Sequence, residues 1–494
     1  MNAERRPAAD AIVQRSRAVT YGELSEQVSA LASFLATAGL QREHRVGILL
    51  ENSPEYVAAY YGVLAAGGVA VALNTAARAV DLANWIRHSR AAWLIADAAH
   101  GELAALLTHL PEEVGAIIVG EYSGDRRAST SWHEALATKL TTLPTIVADR
   151  SLAAIVYTSG TSGQPKGVML SHRNLAANVQ SILDYLEIVA DDRAMNVLPF
   201  YYSYGNSVLH THLSVGACVV LENNLVYPHR VLEQMVSRRV TSFAGVPSTY
   251  ALLLNRTKLV DYDLGTVRYV TQAGGAMAPA LTRRLREAMP NARLFVMYGQ
   301  TEATARVTYL PPDRLEAKLG SVGVAIPRVT IRICDESGQE LPAGQVGEIC
   351  VAGENVMLGY WDDPQGTARV LRDGWLHTGD MARRDPEGYL YIEGRRSDMI
   401  KTGAHRVHPK EIEEVIAEID DVAEVAVVGV DDEILGQVIK AVIVLRPGRA
   451  EDPMQLKAHC RDRLASYKLP KLIEYVSELP RTASGKIRRF MLTH

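Results

Sequence analysis

The sequence predicts an α/β protein with a large N-terminal domain of layered α/β subdomains, a β-rich subdomain and a small α+β C-terminal domain. Three observations predict it. The 494 residues are too many for one compact core. Apolar strands alternate with helical stretches through the first half, which is typical of parallel βαβ layers. Near residue 340 the composition shifts towards glycine and short strands, and it shifts again after residue 398.

In the first half, "RVGILLENS" is a predicted strand, "PEYVAAYYGVLAAG" a predicted helix and "GVAVALNTA" a second strand. The segments "AAWLIADAA", "GAIIVGEY" and "LAAIVYTSG" continue the strand series. The predicted domains are therefore residues 1–394 and residues 399–494, joined by a hinge at 395–398. In the C-terminal domain, "HPKEIEEVIAEI" and "MQLKAHCRDRLASY" are predicted helices, and "VAEVAVVGV" and "KAVIVLRPG" are predicted strands.

Composition excludes several classes of protein. Hydrophobic residues make up 48% and charged residues 22%, with a formal net charge of −4, so no bulk basic field predicts binding to nucleic acid or to an anionic membrane. No segment has the length or apolar character of a signal peptide or a membrane span. Four scattered cysteines (Cys218, Cys334, Cys350 and Cys460) lack metal-ligand spacing and predict reduced thiols in a cytoplasmic protein.

The stretch "YTSGTSGQPKGVMLSH", Tyr157 to His172, resembles a phosphate-binding loop but departs from the Walker A pattern. Pro165 stands where that pattern needs its second glycine, and proline has no N–H to offer a phosphate. The segment "GVMLSH" is a predicted strand, and Ser171 is a predicted N-cap for the helix that follows. The alternatives at this point are a flexible loop that closes over a phosphate tail and an ordinary solvated Gly/Ser turn.

Two further stretches end strands with polar residues. In "FVMYGQTEAT" an apolar strand is followed by Thr301 and Glu302, a position where open α/β sheets place ligands, although, taken alone, a helix start with Thr301 as cap explains these residues better. In "GWLHTGDMARRDPEGYLYIEGRRSD", Asp380 and Arg395 have the chemistry to bind ribose hydroxyls, or are a turn residue and a surface charge. Lys486 of "LPRTASGKIRR" is by itself a solvated tail lysine.

Together and in this order, the motifs identify a resemblance. "YTSGTSGQPKG", "YGQTEA", "GWLHTGD", "GRRSDMIKTGAHRVHPKEIEE" and "PRTASGKIRR" resemble the superfamily of AMP-forming acyl-CoA synthetases, nonribosomal adenylation domains and firefly luciferase, over essentially the whole chain. The resemblance implies that a fatty or aryl carboxylic acid reacts with ATP to give acyl-AMP and pyrophosphate. The acyl group then passes to a thiol, most simply that of CoA, and the implied cofactors are ATP, Mg²⁺ and CoA.

The resemblance also assigns the nucleotide contacts. It places Thr301 on the α-phosphate, Glu302 and Thr158 beside Mg²⁺, Tyr298 on adenine, and Asp380 with Arg395 on the ribose. Lys486 would bridge the carboxylate and the α-phosphate in the first half-reaction. The other predicted contacts with ATP or AMP are Ser159, Gly160, Thr161, Ser162, Gly163, Lys166, Gly274, Gly275, Ala276, Gly299 and Gln300.

In the family the small C-terminal domain rotates between the two half-reactions. The resemblance makes Ser397 the hinge, where relatives usually have Asp or Lys. It gives Lys401 the second half-reaction and places Gly403 and Ala404 along the pantetheine channel, where many relatives have a second glycine instead of Ala404.

The acid pocket is predicted to include Tyr202, Ser203, Asn206, Gly245 and Val246. Many acyl- and aryl-CoA ligases have histidine where Tyr202 stands. Residues 199–208 contain no aspartate to hold an α-amino group, and a buried ammonium without a partner is costly, so amino acids are disfavoured as substrates.

Three alternative functions compete with this interpretation. The first is a stand-alone adenylation enzyme that loads the phosphopantetheine arm of an acyl or peptidyl carrier protein. The second, a nucleotide-binding sensor without turnover, predicts damage at Lys486 or Glu302, and both residues are intact. The third, a P-loop ATPase, is contradicted by Pro165. The sequence also leaves open whether the chain is a monomer or a homodimer.

Overall fold

The structure is a computed structural model that describes residues 2–124, 129–139, 150–158, 166–403, 405–433, 435–481 and 487–493. Chain contacts divide it into two compact units. The first comprises Met1–Leu315, Ala325–Thr330 and Ala352–Leu376, and the second comprises Glu316–Val324, Ile331–Val351 and His377–His494. The predicted boundary at residues 395–398 stays a prediction.

The helices are numbered along the chain. They are α1 (Asn2–Arg5), α2 (Tyr21–Thr37), α3 (Pro54–Ala65), α4 (Ala79–Ser89), α5 (Leu103–His109), α6 (Trp132–Leu136), α7 (His172–Leu186), α8 (Ser203–Val215), α9 (Pro228–Ser237), α10 (Pro247–Arg256), α11 (Pro279–Ala288), α12 (Pro364–Val370), α13 (Pro409–Ile416) and α14 (Pro453–Arg463).

The strands are numbered in the same way. They are β1 (Asp10–Gln14), β2 (Arg17–Thr20), β3 (Arg45–Leu49), β4 (Val69–Ala72), β5 (Ala91–Asp97), β6 (Gly115–Val119), β7 (Ser129–Ser131), β8 (Leu152–Thr158), β9 (Lys166–Ser171), β10 (Arg193–Asn196), β11 (Cys218–Leu221), β12 (Ser242–Gly245), β13 (Tyr269–Gln272), β14 (Arg293–Tyr298), β15 (Thr308–Leu310), β16 (Val324–Ala325), β17 (Val329–Cys334), β18 (Val346–Gly353), β19 (Gly359–Tyr360), β20 (Leu371–Arg372), β21 (Trp375–Arg384), β22 (Leu390–Arg395), β23 (Ile400–Thr402), β24 (His405–Val407), β25 (Val422–Asp432), β26 (Gly436–Leu445) and β27 (Leu472–Tyr475).

Two large sheets build the first unit. The nine-stranded sheet has the order β16-β15-β14-β13-β12-β10-β11-β1-β2, and its strands from β14 to β1 are parallel to their neighbours. The eight-stranded sheet has the order β19-β9-β8-β4-β3-β5-β6-β7 and is parallel from β8 to β7. Helices connect most of these parallel strands, as is usual for parallel pairing, so the alternating strands and helices of the sequence analysis are present.

One apolar core joins the two sheets. It contains Ile12 of the nine-stranded sheet and Val46 of the eight-stranded sheet, together with Leu31 of α2, Tyr60 of α3 and Leu209 of α8. These helices therefore lie between the sheets, and α8 has one face in this core.

Local signals in the sequence start several of these helices. The Ser171 hydroxyl accepts a hydrogen bond from the Asn174 N–H while the Asn174 side chain accepts one from the Ser171 N–H, which confirms Ser171 as the N-cap of α7. Thr20 and Glu23 form the same reciprocal pair at the start of α2.

The third sheet has the order β17-β18-β21-β20, with β22 paired to β21, and it is the predicted β-rich region. The fourth sheet has the order β24-β23-β26-β25, with β27 on β26. Alternate residues of β25 point to opposite faces: Val427 packs in a core with Ile412 of α13, and Val428 packs on the other side with Leu492. All four cysteines are buried thiols outside any disulfide. Among the described helices, none combines the length and apolar character needed to cross a bilayer.

Candidate active site

The predicted phosphate loop connects two antiparallel strands. Thr158 at the end of β8 pairs with Lys166 at the start of β9. A Walker A loop leads into a helix, so this strand–loop–strand arrangement excludes one here. The predicted contacts Ser159, Gly160, Thr161, Ser162 and Gly163 lie outside the described residues.

At the base of this loop, three side chains form a chain of contacts within the first unit. The Lys166 Nζ lies 4.5 Å from the centre of the Tyr360 ring, within cation–π distance. The Tyr360 hydroxyl donates a hydrogen bond of 2.9 Å to Glu302 Oε1. Tyr360 thus holds the predicted metal ligand and contacts the predicted phosphate cation, and the sequence analysis did not include it.

The segment after β14 folds back on itself. A Cβ on Gly299 would lie 1.9 Å from the Ala305 carbonyl oxygen, so no larger residue fits there. Thr301–Ala303 forms a short 3-10 helix, and Thr304 has the positive φ of +68°. The Val307 N–H then donates to the Tyr298 carbonyl, which closes the turn. The predicted residues Tyr298, Gly299, Gln300, Thr301 and Glu302 are therefore in one tight loop.

Ser203 connects the predicted acid pocket to this loop. Its hydroxyl lies 3.2 Å from the Thr301 hydroxyl, within hydrogen-bond distance. Ser203 is the first residue of α8, and the Tyr202 ring lies 4.6 Å from that of Tyr201. Asn206, by contrast, lies beside Tyr60 on the side of α8 towards α3, and its place in the acid pocket stays a prediction.

Loops after neighbouring parallel strands bring further predicted residues together. Val246 follows β12 and Gly274 follows β13, and a Cβ on Gly274 would lie 3.2 Å from Val246 Cγ1. Gly274 also has a φ of +82°, which favours glycine. The Gly275 carbonyl accepts a 2.8 Å hydrogen bond from Gln272, which fixes the loop that contains Ala276. Gly245, the last residue of β12, lies against the Tyr250 ring.

The carboxyl ends of β12, β13 and β14 therefore share one edge of the nine-stranded sheet, the edge at which open α/β sheets bind ligands. Most of the predicted acid and nucleotide residues of the first unit lie at the ends of these three strands or in the loops that follow them. The others belong to the start of helix α8 and to the hairpin β8–β9.

In the second unit, Asp380 of β21 and Arg395 of β22 are direct partners in the sheet. The Arg395 Nε lies 3.2 Å from Asp380 Oδ1, and the Asp380 side chain is 8% exposed. Glu348 supports this turn, since its carboxylate accepts a hydrogen bond of 2.9 Å from the Gly379 N–H. The Thr378 hydroxyl donates to the Ile349 carbonyl and accepts from the Asp380 N–H. The two predicted ribose contacts are therefore held together by the register of a hairpin.

Glu348 also lies near Cys350 and His377. The His377 Nδ1 is 3.1 Å from Glu348 Oε2 and 3.4 Å from Cys350 Sγ. The sequence analysis found no metal-ligand spacing among cysteines and histidines, and the fold nevertheless brings these three side chains within 4.8 Å of one another.

The remaining predicted residues of the second unit are those proposed for the hinge, the pantetheine channel and the two lysines. Lys401 is an exposed residue of β23, and its N–H donates to Gln437. Gly403 has a φ of +59° and donates to the Leu435 carbonyl. Ser397 lies in the 3-10 helix Arg396–Asp398. Ala404 and Lys486 lie outside the described residues.

The sequence analysis missed Arg306, which is 2% exposed. Its Nη1 donates to the Tyr185 hydroxyl at 3.3 Å, and its Cζ lies 5.0 Å from the centre of the Tyr204 ring. Its carbonyl accepts hydrogen bonds from the side chains of Asn178 and Asn355 at 3.0 and 3.3 Å. In the sequence, the only sign of its burial was the position of this arginine shortly before the residues that form β15.

A cavity of about 920 Å³ in the first unit was also missed. It opens where β3 and β5 end, and none of the predicted site residues lines it. Its lining contains two ion pairs, Arg78 with Glu102 and Arg17 with Glu55, and further charged side chains at Arg15, Glu51 and Asp97.

Comparison with known proteins adds three findings. The family model "AMP-binding enzyme" matches residues 1–361, and "AMP-binding enzyme C-terminal domain" matches residues 411–486. A long-chain-fatty-acid–CoA ligase of Bacillus subtilis is 33% identical over 99% of this chain and 92% of its own length. A feruloyl-CoA synthase of Amycolatopsis is 36% identical over 97% and 94%.

The structure of o-succinylbenzoate CoA synthetase of Bacillus subtilis, in complex with its acyl-adenylate intermediate, superposes with a TM-score of 0.88 at 29% identity, covering 100% of this chain and 97% of the other. These findings confirm the predicted α/β fold with a large N-terminal and a separate C-terminal domain.

Proposed function

The chain belongs to the AMP-binding enzyme family, and from this premise we infer that it is an AMP-forming acid–CoA ligase. A carboxylate oxygen of the acid attacks the α-phosphorus of ATP, the bond from that phosphorus to the bridging oxygen breaks, and pyrophosphate leaves. The CoA sulfur then attacks the acyl carbon of acyl-AMP and loses its proton, the carbon–oxygen bond to AMP breaks, and acyl-CoA and AMP are released.

The contact between Ser203 and Thr301 carries the proposal for the first step. Ser203 begins the helix of the proposed acid pocket, and Thr301 is the proposed α-phosphate contact. Their 3.2 Å separation supports a common reaction centre for the acid and the α-phosphate. A site that holds the acid and the α-phosphate in contact accelerates the reaction, because the two anions no longer depend on an improbable encounter in solution.

We propose that Glu302 and Thr158 hold Mg²⁺, which binds oxygen ligands and, when bound, draws charge away from phosphate oxygens. Glu302 can accept a metal ion, because the Tyr360 hydrogen bond occupies only one lone pair of its carboxylate. Lys166 adds a positive charge at the base of the loop, and in the second unit Asp380 and Arg395 are the proposed ribose contacts.

For the second half-reaction we propose Lys401 and the turn at Gly403, after a rotation of the C-terminal domain about Ser397. The names of the relatives favour CoA over a carrier protein as the thiol acceptor. The homodimer stays a prediction that light scattering tests.

Two assays test the proposal. Exchange of labelled pyrophosphate into ATP, driven by members of a carboxylic-acid panel, measures the first half-reaction, and thioester formation with CoA or holo-carrier proteins measures the second. We expect acid-dependent exchange and consumption of CoA. Loading of a carrier with negligible use of CoA would contradict the acceptor, and absence of exchange with every acid would contradict the enzyme.

A further inference from the structure

Arg306 is a buried cation without an anionic partner among the described residues. Its side chain is 2% exposed, and its Nε has no hydrogen-bond partner. The groups that act on its charge are the side chains of Tyr185, Tyr204 and Tyr269, and no described carboxylate is among them. A charge buried in this way is costly unless something pairs with it.

The surrounding side chains do not supply the missing negative charge. Burial raises the pKa of Tyr204 to about 12 against the opposing effect of Arg306, and burial also raises the pKa of Tyr185 and of Tyr269. These phenols are therefore neutral at physiological pH. Burial lowers the pKa of His212 to about 4, so this imidazole is neutral as well.

The guanidinium lies over the ring of Tyr204, the neighbour of the proposed acid-pocket residue Ser203. Tyr204, over whose ring it lies, follows Ser203 on α8 and packs in a cluster with Val208 and partly buried Val246. The Arg306 backbone lies against Gly299, because a Cβ on that glycine would be 2.7 Å from the Arg306 Cα. The Arg306 backbone therefore belongs to the tight loop of Thr301 and Glu302, and its guanidinium lies over the ring of the residue that follows Ser203.

We propose that the acid substrate of this enzyme is a dicarboxylic acid, and that Arg306 binds its second carboxylate while the first is adenylated. The inference rests on the proposed function and specifies its substrate class. A guanidinium pairs with a carboxylate through two parallel hydrogen bonds, which explains arginine here better than lysine. The Tyr185 hydrogen bond and the Tyr204 ring keep the guanidinium in place when no substrate is bound.

The experiment compares matched acids on the full-length enzyme. Pyrophosphate release is measured with succinate against butyrate, glutarate against valerate, and isophthalate against benzoate. We expect a dicarboxylate to exceed its monocarboxylate partner at least about tenfold in kcat/KM. We expect Arg306→Met to lower kcat/KM for that dicarboxylate about 100-fold, about 2.7 kcal/mol at 1.36 kcal/mol per factor of ten, and to abolish the preference over the matched monocarboxylate.

Two further variants separate charge from structure. Arg306→Lys keeps the charge without the paired donors, so its dicarboxylate activity should fall between those of the wild type and Arg306→Met. Arg293→Met is the matched control. Arg293 of β14 forms an exposed ion pair with Glu187, so this variant should keep the wild-type preference for the dicarboxylate.

The possible failures are distinguishable. If monocarboxylates are adenylated and every dicarboxylate is inert, the inference is wrong and the proposed function stands. If no acid supports pyrophosphate release, the proposed function itself is wrong. If Arg306→Met is insoluble, Arg306→Lys and the wild-type preference decide the question, and an equal loss on both acids in Arg306→Lys contradicts the inference.

Discussion

The hydroxyl of Tyr360 offers a direct test of how the proposed magnesium ligand is held. Tyr360→Phe removes one oxygen and retains the ring that Lys166 contacts. The lost hydrogen bond joins a buried phenol to a carboxylate, and hydrogen bonds to charged groups contribute about 1.5–3 kcal/mol. At 1.36 kcal/mol per factor of ten, adenylation should slow about 10- to 100-fold.

The assay is pyrophosphate exchange measured over a Mg²⁺ titration. Because the hydrogen bond orients Glu302, we expect the Mg²⁺ concentration for half-maximal rate to rise in Tyr360→Phe. Tyr262→Phe is the matched control, since its hydroxyl bonds exposed His229 at 2.7 Å, and it should behave as the wild type.

A double-mutant cycle then locates the effect. If Tyr360 acts through Glu302, Tyr360→Phe should slow adenylation little in an enzyme that already contains Glu302→Gln. The reason is that the effects of two coupled residues on the rate are not additive. Wild-type rate and Mg²⁺ dependence in Tyr360→Phe, or full additivity with Glu302→Gln, would refute this reasoning.

Three other predictions follow from the sequence and the structure. Gly299→Ala should lower the free energy of unfolding by about 1–3 kcal/mol in urea, because its Cβ would meet the Ala305 carbonyl, whereas Gly101→Ala, with open space at its Cβ, should change it little. Lys486→Ala should abolish most pyrophosphate exchange and spare thioester formation from supplied acyl-AMP, and Lys401→Ala should do the converse; equal loss of both half-reactions in both variants would contradict the two-conformation assignment. His212 has a native pKa of about 4, below its unfolded value, so its contribution to stability is complete above pH 6.5 and is lost as pH falls towards 4, with a slope of up to about 1.36 kcal/mol per pH unit. Thermal midpoints from pH 8 to pH 4 measure this slope, which should be shallower in His212→Asn.

Much of the fold could be predicted because its signals are local. Strand and helix alternation, the Ser171 cap and the strand after Lys166 each depend on neighbouring residues in the chain, and all are present. The pairing of Asp380 with Arg395 follows from one hairpin, which also lies within a short span of sequence.

The contacts that could not be predicted join distant parts of the chain. Tyr360 lies 58 residues from Glu302, and Glu348 lies 31 residues from Gly379. Arg306 is not among the predicted site residues, and its burial comes from the turn at Gly299 together with α7 and α8. Periodicity and motif spacing contain no information on such packing.

The two asparagine side chains that hold the Arg306 carbonyl have a consequence for how this enzyme can diversify. They fix the backbone at position 306 whatever side chain it bears, because Asn178 and Asn355 bind the main chain alone there. A mutation at this position can therefore change the charge facing the acid without displacing Thr301 or Glu302. With the proposed role of Arg306, a change at this one position alters which acid is accepted and leaves the residues proposed for phosphoryl transfer in place.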